Sequence, residues 1–462
     1  MTRRRFLAAG ATATAAFSLV PRHVLGGPGF VAPSAKVNIA IVGAGGQGRT
    51  NVRNLFNEPD AQIIAVADPT ERFSLDGFYY KGEAGRKPVT AEIVKNYSAT
   101  TPNYRVAEYE DFRVMLEKEK SIDAILCATP DHLHAYVCST VMRQGKHVYC
   151  EKPLVHNVWE ARKLRELTKT TGVATQMGNQ GHSGDGIRQT VEWVRAGAIG
   201  PVREVHSWSS AGRWHPDAGP AVPGPVPAGM NWDLWLGPRA QRPYSAKYSP
   251  VTWRDYWAFG GGPFADMACH NLDPAFWALD LAAPLTIEAS CAAGLDAERV
   301  SPAAIYRYTF GPRGDQPPVA VTWYDGGLMP ATPPEMEEGE ELGRGGNGLL
   351  LIGDKGKLTC PGWAGAPRLI PLSRMESFQR PPKTLPRSKG HHRDWLDACK
   401  GGPPASANFD YGAQLTEMIL LGSVALRVGK KLQWDAANMK ATNAPEADKF
   451  LKEEYRSGWE VT

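Results

Sequence analysis

The sequence lacks the features that mark several common protein classes. Its seven cysteines include no Cys-x-x-Cys pair, so neither a disulfide framework nor a zinc site is indicated, and no metal is predicted. The 52 Lys and Arg residues are balanced by 48 Asp and Glu residues without a long basic run, which argues against a nucleic-acid partner. No internal repeat is present. A chain of 462 residues is expected to form about two domains, and a small-molecule partner is favoured.

The N-terminus combines a basic cluster with a weakly apolar segment. Arg3, Arg4 and Arg5 precede residues 6–20, a stretch too short and too weakly hydrophobic to span a bilayer. This order of features is typical of a twin-arginine export signal. We therefore expect residues 1–34 to be a signal peptide and linker, with the twin-arginine export machinery as a partner and a periplasmic or otherwise exported location.

The next segment has the pattern of a dinucleotide-binding unit. A continuous apolar strand begins at Val37 and leads into Gly43-x-Gly45-x-x-Gly48, which is followed by helical spacing. In this motif the first glycine permits a tight turn, the second lets the backbone approach a pyrophosphate, and the third lets the helix sit close to the strand. Gln47 lies in the same loop, and we predict that all four residues contact the cofactor.

A second apolar strand, AQIIAVAD, ends in Asp68. This carboxylate follows the glycines by about the 20 residues that the motif requires, so it can accept hydrogen bonds from both ribose hydroxyls. Because a carboxylate there repels a 2′-phosphate, NAD is favoured over NADP. Arg72 nearby keeps NADP open as an alternative.

Polar clusters end two further predicted strands. IDAILCAT is followed by Thr129, Pro130 and His132, and KHVYC is followed by Glu151 and Lys152. Ligands of open parallel sheets bind outside the carboxyl ends of the strands. We therefore predict that both clusters lie beside the nicotinamide ring.

Four motifs occur in the order GAGGQG, ATPDHLHA, GKHVYCEKPL and GGGPFADMACHNLDPAFWAL. The motifs and their order resemble those of the Gfo/Idh/MocA family of glucose-fructose oxidoreductases and inositol dehydrogenases. The resemblance implies an α/β protein. Its N-terminal Rossmann domain, a doubly wound parallel sheet, is expected over residues 35–155, and a C-terminal α+β domain with an open, mostly antiparallel sheet over 156–462. It also implies a homo-oligomer formed through that second sheet.

The resemblance also implies catalytic residues. The family's Glu-Lys-Pro motif matches Glu151, Lys152 and Pro153, and makes Lys152 the residue that holds the reacting hydroxyl. Its Asp-x-x-x-His motif matches Asp266 and His270. On a helix this spacing places both side chains on one face, so the carboxylate can orient the imidazole or share its substrate. A histidine suits the role of base, and His270 is the candidate.

The second half of the chain offers weaker signals. In this family a loop reaches towards cofactor and substrate, and it corresponds here to Gln176, Asn179, Gln180 and His182. Seven tryptophans lie between positions 208 and 277. Their rings could stack on the faces of sugars, but for most of them we favour packing in a core or a subunit interface. The segments IEASCAA, AIYRYTF, VAVTWYD and LLLIGDKGKLTC are typical of strands. His391 and His392 precede a predicted helix and are left outside the catalytic set.

Export would limit the possible reactions. A cofactor that leaves the cytosol bound to a folded protein must stay bound and must be reoxidised in place. The leading hypothesis is an NAD-dependent oxidoreductase that moves hydride from a secondary alcohol of a sugar or polyol to tightly bound nicotinamide. The first alternative is an NAD-dependent, redox-neutral glycoside hydrolase. The second is a non-catalytic sugar-binding protein, which is disfavoured because Lys152 and His270 are both present.

Overall fold

The computed structural model describes residues 31–212, 220–292 and 296–462. Residues 1–30, which carry the basic cluster and apolar segment of the predicted export signal, lie outside these ranges, as does Trp214. Among the described helices, none combines the length and the apolar character that crossing a membrane requires.

Strands and helices alternate in the first part of the chain, and strands dominate the second. In chain order the strands are β1 (Val37–Val42), β2 (Ala61–Ala67), β3 (Phe73–Ser74), β4 (Glu83–Ala84), β5 (Ala107–Tyr109), β6 (Ala124–Cys127), β7 (His147–Cys150), β8 (Thr175–Met177), β9 (Val202–Ser209), β10 (Thr286–Cys291), β11 (Ala304–Phe310), β12 (Val319–Tyr324), β13 (Asn347–Gly353), β14 (Gly356–Pro361), β15 (Arg368–Ile370), β16 (Leu432–Asp435) and β17 (Lys440–Ala441). The α-helices are α1 (Gly46–Leu55), α2 (Arg86–Ser98), α3 (Phe112–Lys118), α4 (Asp131–Arg143), α5 (Val158–Thr171), α6 (Asp185–Arg195), α7 (Trp232–Leu236), α8 (Gly262–Asn271), α9 (Asp273–Ala278), α10 (Leu372–Ser377), α11 (His391–Cys399), α12 (Phe409–Val428) and α13 (Asp448–Leu451).

The N-terminal sheet is parallel throughout, with the strand order β5-β2-β1-β6-β7-β8. Its central strands β1 and β6 are almost entirely buried, as expected when helices cover both faces of a parallel sheet. The order reverses between β1 and β6, which places a ligand crevice at their carboxyl ends. This confirms the predicted Rossmann sheet. The sheet extends beyond residue 155, where we expected the domain to end, because β8 adds a sixth strand.

One face of this sheet is covered by the far end of the chain. Trp395 and Leu396 of α11 are fully buried in the apolar cluster that also contains Ile39 and Ile41 of β1, and the Trp395 ring centroid lies 5.6 Å from that of Tyr149 in β7. The histidine pair at positions 391 and 392 therefore begins a helix that belongs to the core of the nucleotide-binding half.

The C-terminal sheet has the order β15-β14-β13-β9-β12-β11-β10-β16-β17, and all its pairs are antiparallel except β9 with β12. The side chains of β11 alternate between buried and more exposed positions, as expected for a sheet covered on one face. This confirms the predicted open, mostly antiparallel sheet. Phe264 of α8 stacks on Tyr306 of β11 with ring centroids 3.9 Å apart, which fixes α8 against the sheet.

Candidate functional site

A cavity of about 550 Å³ lies between the carboxyl edge of the parallel sheet and the C-terminal domain. The predicted residues that line it are Gly43, Gly45, Gln47, Asp68, Thr129, Pro130, Glu151, Lys152, Gln180, Asp266 and His270. Residues from both halves of the chain therefore converge on one cleft, as ligand sites at domain junctions commonly do.

The glycine loop has the shape of a phosphate cradle. Gly43 has φ +93°, and a Cβ there would lie 2.6 Å from the backbone of Ala128. A Cβ on Gly48 would lie 2.1 Å from the Gly43 carbonyl oxygen, so the third glycine allows α1 to pack against the loop. Nothing lies within 4 Å of the corresponding position on Gly45, which leaves room for a pyrophosphate at the N-terminus of α1. These features fit a bound dinucleotide.

Asp68 directly follows β2, and backbone N–H groups hold its carboxylate. Its Oδ2 accepts a hydrogen bond from the Ala44 N–H and its Oδ1 from the Thr70 N–H, both at 2.7 Å. Burial raises the pKa of Asp68 to about 6, against the lowering effect of these two bonds. Each oxygen keeps a lone pair for a ribose hydroxyl. Arg72, which kept NADP open, instead forms an exposed ion pair with Glu83.

Glu151 joins three parts of the cleft. Its Oε1 accepts hydrogen bonds from Asn51 Nδ2 at 2.8 Å, Gln180 Nε2 at 3.1 Å and Gln47 Nε2 at 3.3 Å. Burial raises the pKa of Glu151, and the bond from Asn51 opposes that shift. Glu151 follows β7, so its carboxylate joins the end of that strand to α1 and to the loop after β8.

Lys152 and Asp266, which come from different domains, form a largely buried ion pair in the wall of the cavity. The ammonium donates to Asp266 Oδ1 and, at 3.0 Å, to the Asp266 carbonyl oxygen. Arg254 lies on the other side, with its Nε 3.2 Å from the same Oδ1. Burial alone would raise the pKa of Asp266, but the charges of Lys152 and Arg254 outweigh it and lower that pKa. Burial likewise opposes the effect of Asp266 on Lys152, whose pKa is raised overall.

His270 lies one helical turn beyond Asp266 and is neutral at physiological pH. Burial, followed by the charge of Lys152, lowers its pKa to about 3. Within the described residues the Asp266 carboxylate makes no hydrogen bond to the imidazole, and His270 Nδ1 is buried without a partner. The shared helix face is therefore as predicted, but the carboxylate faces the two cations instead of orienting the imidazole.

Several predicted residues are placed elsewhere. His132 does not line the cavity, because its side chain packs between Trp235 and Phe259 and its Nε2 bonds the Trp235 carbonyl at 2.9 Å. Asn179 and His182 instead hold the buried Asp273 carboxylate, at 2.8 Å and 3.0 Å.

The histidine pair is structural as well. His391 receives a hydrogen bond from Gln176 Nε2 at 3.1 Å and contacts the Met177 carbonyl at 2.8 Å. His392 contacts Asn51 Oδ1 at 3.1 Å. Their interactions hold α11 against the sheet, so Gln176 also serves the packing of this region.

Three cysteines come together although their spacing in the sequence gives no signal. Cys127 ends β6, Cys150 ends β7 and Cys138 lies on α4, and their sulfur atoms lie within 4.8 Å of one another. All three are fully buried in the apolar core. Their environment is that of small core side chains that fill the space between a helix and a sheet.

Other residues of the cleft were not predicted from the sequence, among them Tyr80, Arg254, Asn347 and Trp363. Tyr80 lies against the glycine loop, and a Cβ on Gly46 would lie 2.2 Å from its ring. Arg254 and Asn347 are polar residues of common types without a spacing signal. Trp363 stands in the run CPGWAGAP, where closely spaced glycines around an aromatic residue were the available signal.

Comparisons with known proteins agree with this architecture. The model of the Gfo/Idh/MocA oxidoreductase family, NAD-binding Rossmann fold, matches residues 37–179. The model of the C-terminal alpha/beta domain of the same oxidoreductase family matches residues 207–311.

Individual relatives are distant. The rhizopine catabolism protein MocA of Rhizobium meliloti is 24% identical over 242 residues, which cover 52% of this chain and 57% of the relative. The inositol 2-dehydrogenase of Rubrobacter xylanophilus is 28% identical over 177 residues, 38% of this chain and 44% of the relative. The chain thus matches about half the length of these curated relatives. The aldose-aldose oxidoreductase of Caulobacter crescentus, solved with glycerol, superimposes with a TM-score of 0.53 at 18% identity, over 86% of this chain and 100% of that one. At that identity the likeness shows the fold alone.

Proposed function

The chain belongs to the Gfo/Idh/MocA oxidoreductase family, whose N-terminal fold binds NAD, and we propose from this that it is an NAD-dependent oxidoreductase of a sugar or polyol. The observation that carries the proposal is the convergence of the Lys152 amine and the neutral His270 imidazole in the cavity bounded by the glycine loop. The name of the inositol 2-dehydrogenase supports a cyclic polyol as a member of the substrate class.

Each side chain has a separate role in the proposed reaction. NAD, when bound, supplies the hydride acceptor. The Lys152 ammonium donates a hydrogen bond to the oxygen of the substrate alcohol and stabilises negative charge on it, while Asp266 holds the ammonium in place. The His270 imidazole accepts the hydroxyl proton as the carbon loses hydride. The C–H electron pair leaves with hydride, the O–H proton goes to the imidazole, and a ketone remains.

We also propose that the protein is exported by the twin-arginine route with NAD already bound, and that the cofactor is reoxidised in place by a second carbohydrate. The segment between β2 and α2 supports retention of NAD, since Phe73, Leu75 and Tyr80 form one wall of the cavity.

Assembly of a homo-oligomer through the C-terminal sheet is proposed from the family resemblance and is tested by sedimentation of the purified protein.

The experiment is transient absorbance of nicotinamide reduction with single sugars and polyols. The proposal expects reduction with at least one compound and none in Lys152→Ala, which should still bind NAD. Aglycone release from aryl glycosides without accumulation of reduced cofactor would instead establish the redox-neutral glycosidase. Full activity of Lys152→Ala would remove the amine from the mechanism.

A further inference from the structure

Trp363 combines three features that core tryptophans do not share. Its side chain is 52% exposed, which makes it the most exposed tryptophan in the described part of the chain. It lines the cavity, with its ring centroid 6.2 Å from that of His270. Its backbone has φ +55°, a left-handed conformation that a bulky residue rarely adopts.

The strained turn is held in place by close packing. The Trp363 N–H donates to Asn271 Oδ1 at 3.0 Å, so the residue next to His270 in sequence fixes this backbone. The Trp363 carbonyl lies over Gly181, where a Cβ would come within 2.4 Å of the oxygen. Strain that the surrounding structure maintains is characteristic of ligand-binding positions.

The energetics point in the same direction. A half-exposed indole lacks the favourable hydrophobic free energy that it would gain if it were buried in the core. Strain and exposure fall together at one residue, which faces the proposed base across the cleft. Both costs are offset if a ligand covers the ring.

We infer that the Trp363 indole is a platform on which a ring-form carbohydrate lies by its apolar C–H face while one of its hydroxyls meets Lys152 and His270. This inference rests on the proposed function and narrows its substrate class. A flat aromatic face complements a pyranose or a cyclitol, whose C–H groups form a continuous patch. An open-chain polyol lacks such a patch and gains less from the indole.

The test compares Trp363→Ala, Trp363→Phe and the control Leu372→Ala, which truncates an exposed apolar side chain that does not line the cavity. The substrates are myo-inositol, D-glucose and methyl β-D-glucoside as rings, with sorbitol and glycerol as open chains. For the best ring substrate, Trp363→Ala should raise KM about tenfold, the loss expected for one aromatic contact, with a smaller change in kcat. Trp363→Phe should recover most of that loss, Leu372→Ala should match the wild type, and NAD affinity should be unchanged in all three.

Two results would overturn the platform while the oxidoreductase proposal stands: a KM in Trp363→Ala within about twofold of the wild type, or turnover of open-chain polyols alone. If no compound reduces NAD, the proposed function fails separately. Saturation-transfer NMR with methyl β-D-glucoside then decides the platform, since equal signals from wild type and Trp363→Ala would contradict it.

Discussion

The Lys152 ammonium is bonded to both the carboxylate and the backbone carbonyl of Asp266. A side chain from the parallel sheet is thereby anchored to a helix of the other domain. Because the pair lies at the junction, the position of the amine depends on how the two domains are packed together. The ion pair therefore links the geometry of the fold to the chemistry proposed for the cleft.

Asp266→Asn should lower kcat/KM about 100-fold or more, because an uncharged amide no longer holds or stabilises the ammonium. Burial and Arg254 both lower the pKa of Lys152, so that pKa should fall when Asp266 is neutralised. Activity of the variant should then decline with rising pH earlier than in the wild type. Asp354→Asn, which alters a surface pair with Arg203, is the control. Coincident pH profiles of Asp266→Asn and wild type would contradict the assignment.

His270 should make the protein sensitive to acid. Its pKa is lowered from 6.5 to about 3 on folding, so between these values the unfolded chain binds the additional proton. Stability should fall with decreasing pH in this window, by up to about 1.4 kcal/mol per pH unit from this group. His270→Gln should show a shallower loss of urea-unfolding free energy between pH 6.5 and 4. Equal slopes would show that the imidazole is not held neutral.

NAD affinity should weaken as the pH falls through about 6, where the buried Asp68 becomes protonated and one oxygen no longer accepts a ribose hydroxyl. The dissociation constant should rise by up to about tenfold per pH unit below that value, measured by calorimetric titration. Asp68→Asn should bind NAD more weakly at pH 7 and show little pH dependence from 7 to 5. A wild-type affinity that stays constant over this range would contradict the role of Asp68.

Arg49→Ala should release NAD faster. The buried Arg49 guanidinium of α1 donates to the carbonyl oxygens of Tyr80 at 2.8 Å, of Glu83 at 2.5 Å and of Lys81. It thereby holds Tyr80 against the glycine loop. Loss of these bonds should raise the NAD dissociation rate about tenfold or more, while kcat at saturating NAD changes little.

Arg53→Ala is the matched control for that variant. It lies one turn along α1 and pairs with Glu92 on the surface, so its removal should leave NAD release unchanged. Stopped-flow displacement of NAD from preloaded protein provides the measurement. Equal rates in Arg49→Ala, Arg53→Ala and wild type would show that the segment between β2 and α2 does not retain the cofactor.

Local chain chemistry explains which parts of the site were predictable. Gly43 and Asp68 directly follow the first two strands, and the spacing between a glycine loop and an acidic residue can be read directly in the sequence. The side-chain direction of His132 depends on how α4 is rotated against Trp235, a tertiary property that spacing does not encode. Trp363 acts because a turn from the second sheet reaches the cleft, and that approach is set by packing over a large separation in the chain.

The burial of α11 in the core of the nucleotide-binding half has a consequence for biosynthesis. Trp395 and Leu396 belong to the buried apolar cluster that contains Ile39 and Ile41 of β1, so the nucleotide-binding half cannot complete its core before α11 has been synthesised. A fragment of residues 1–180 expressed alone should accordingly be aggregation-prone and should not form an independent nucleotide-binding module.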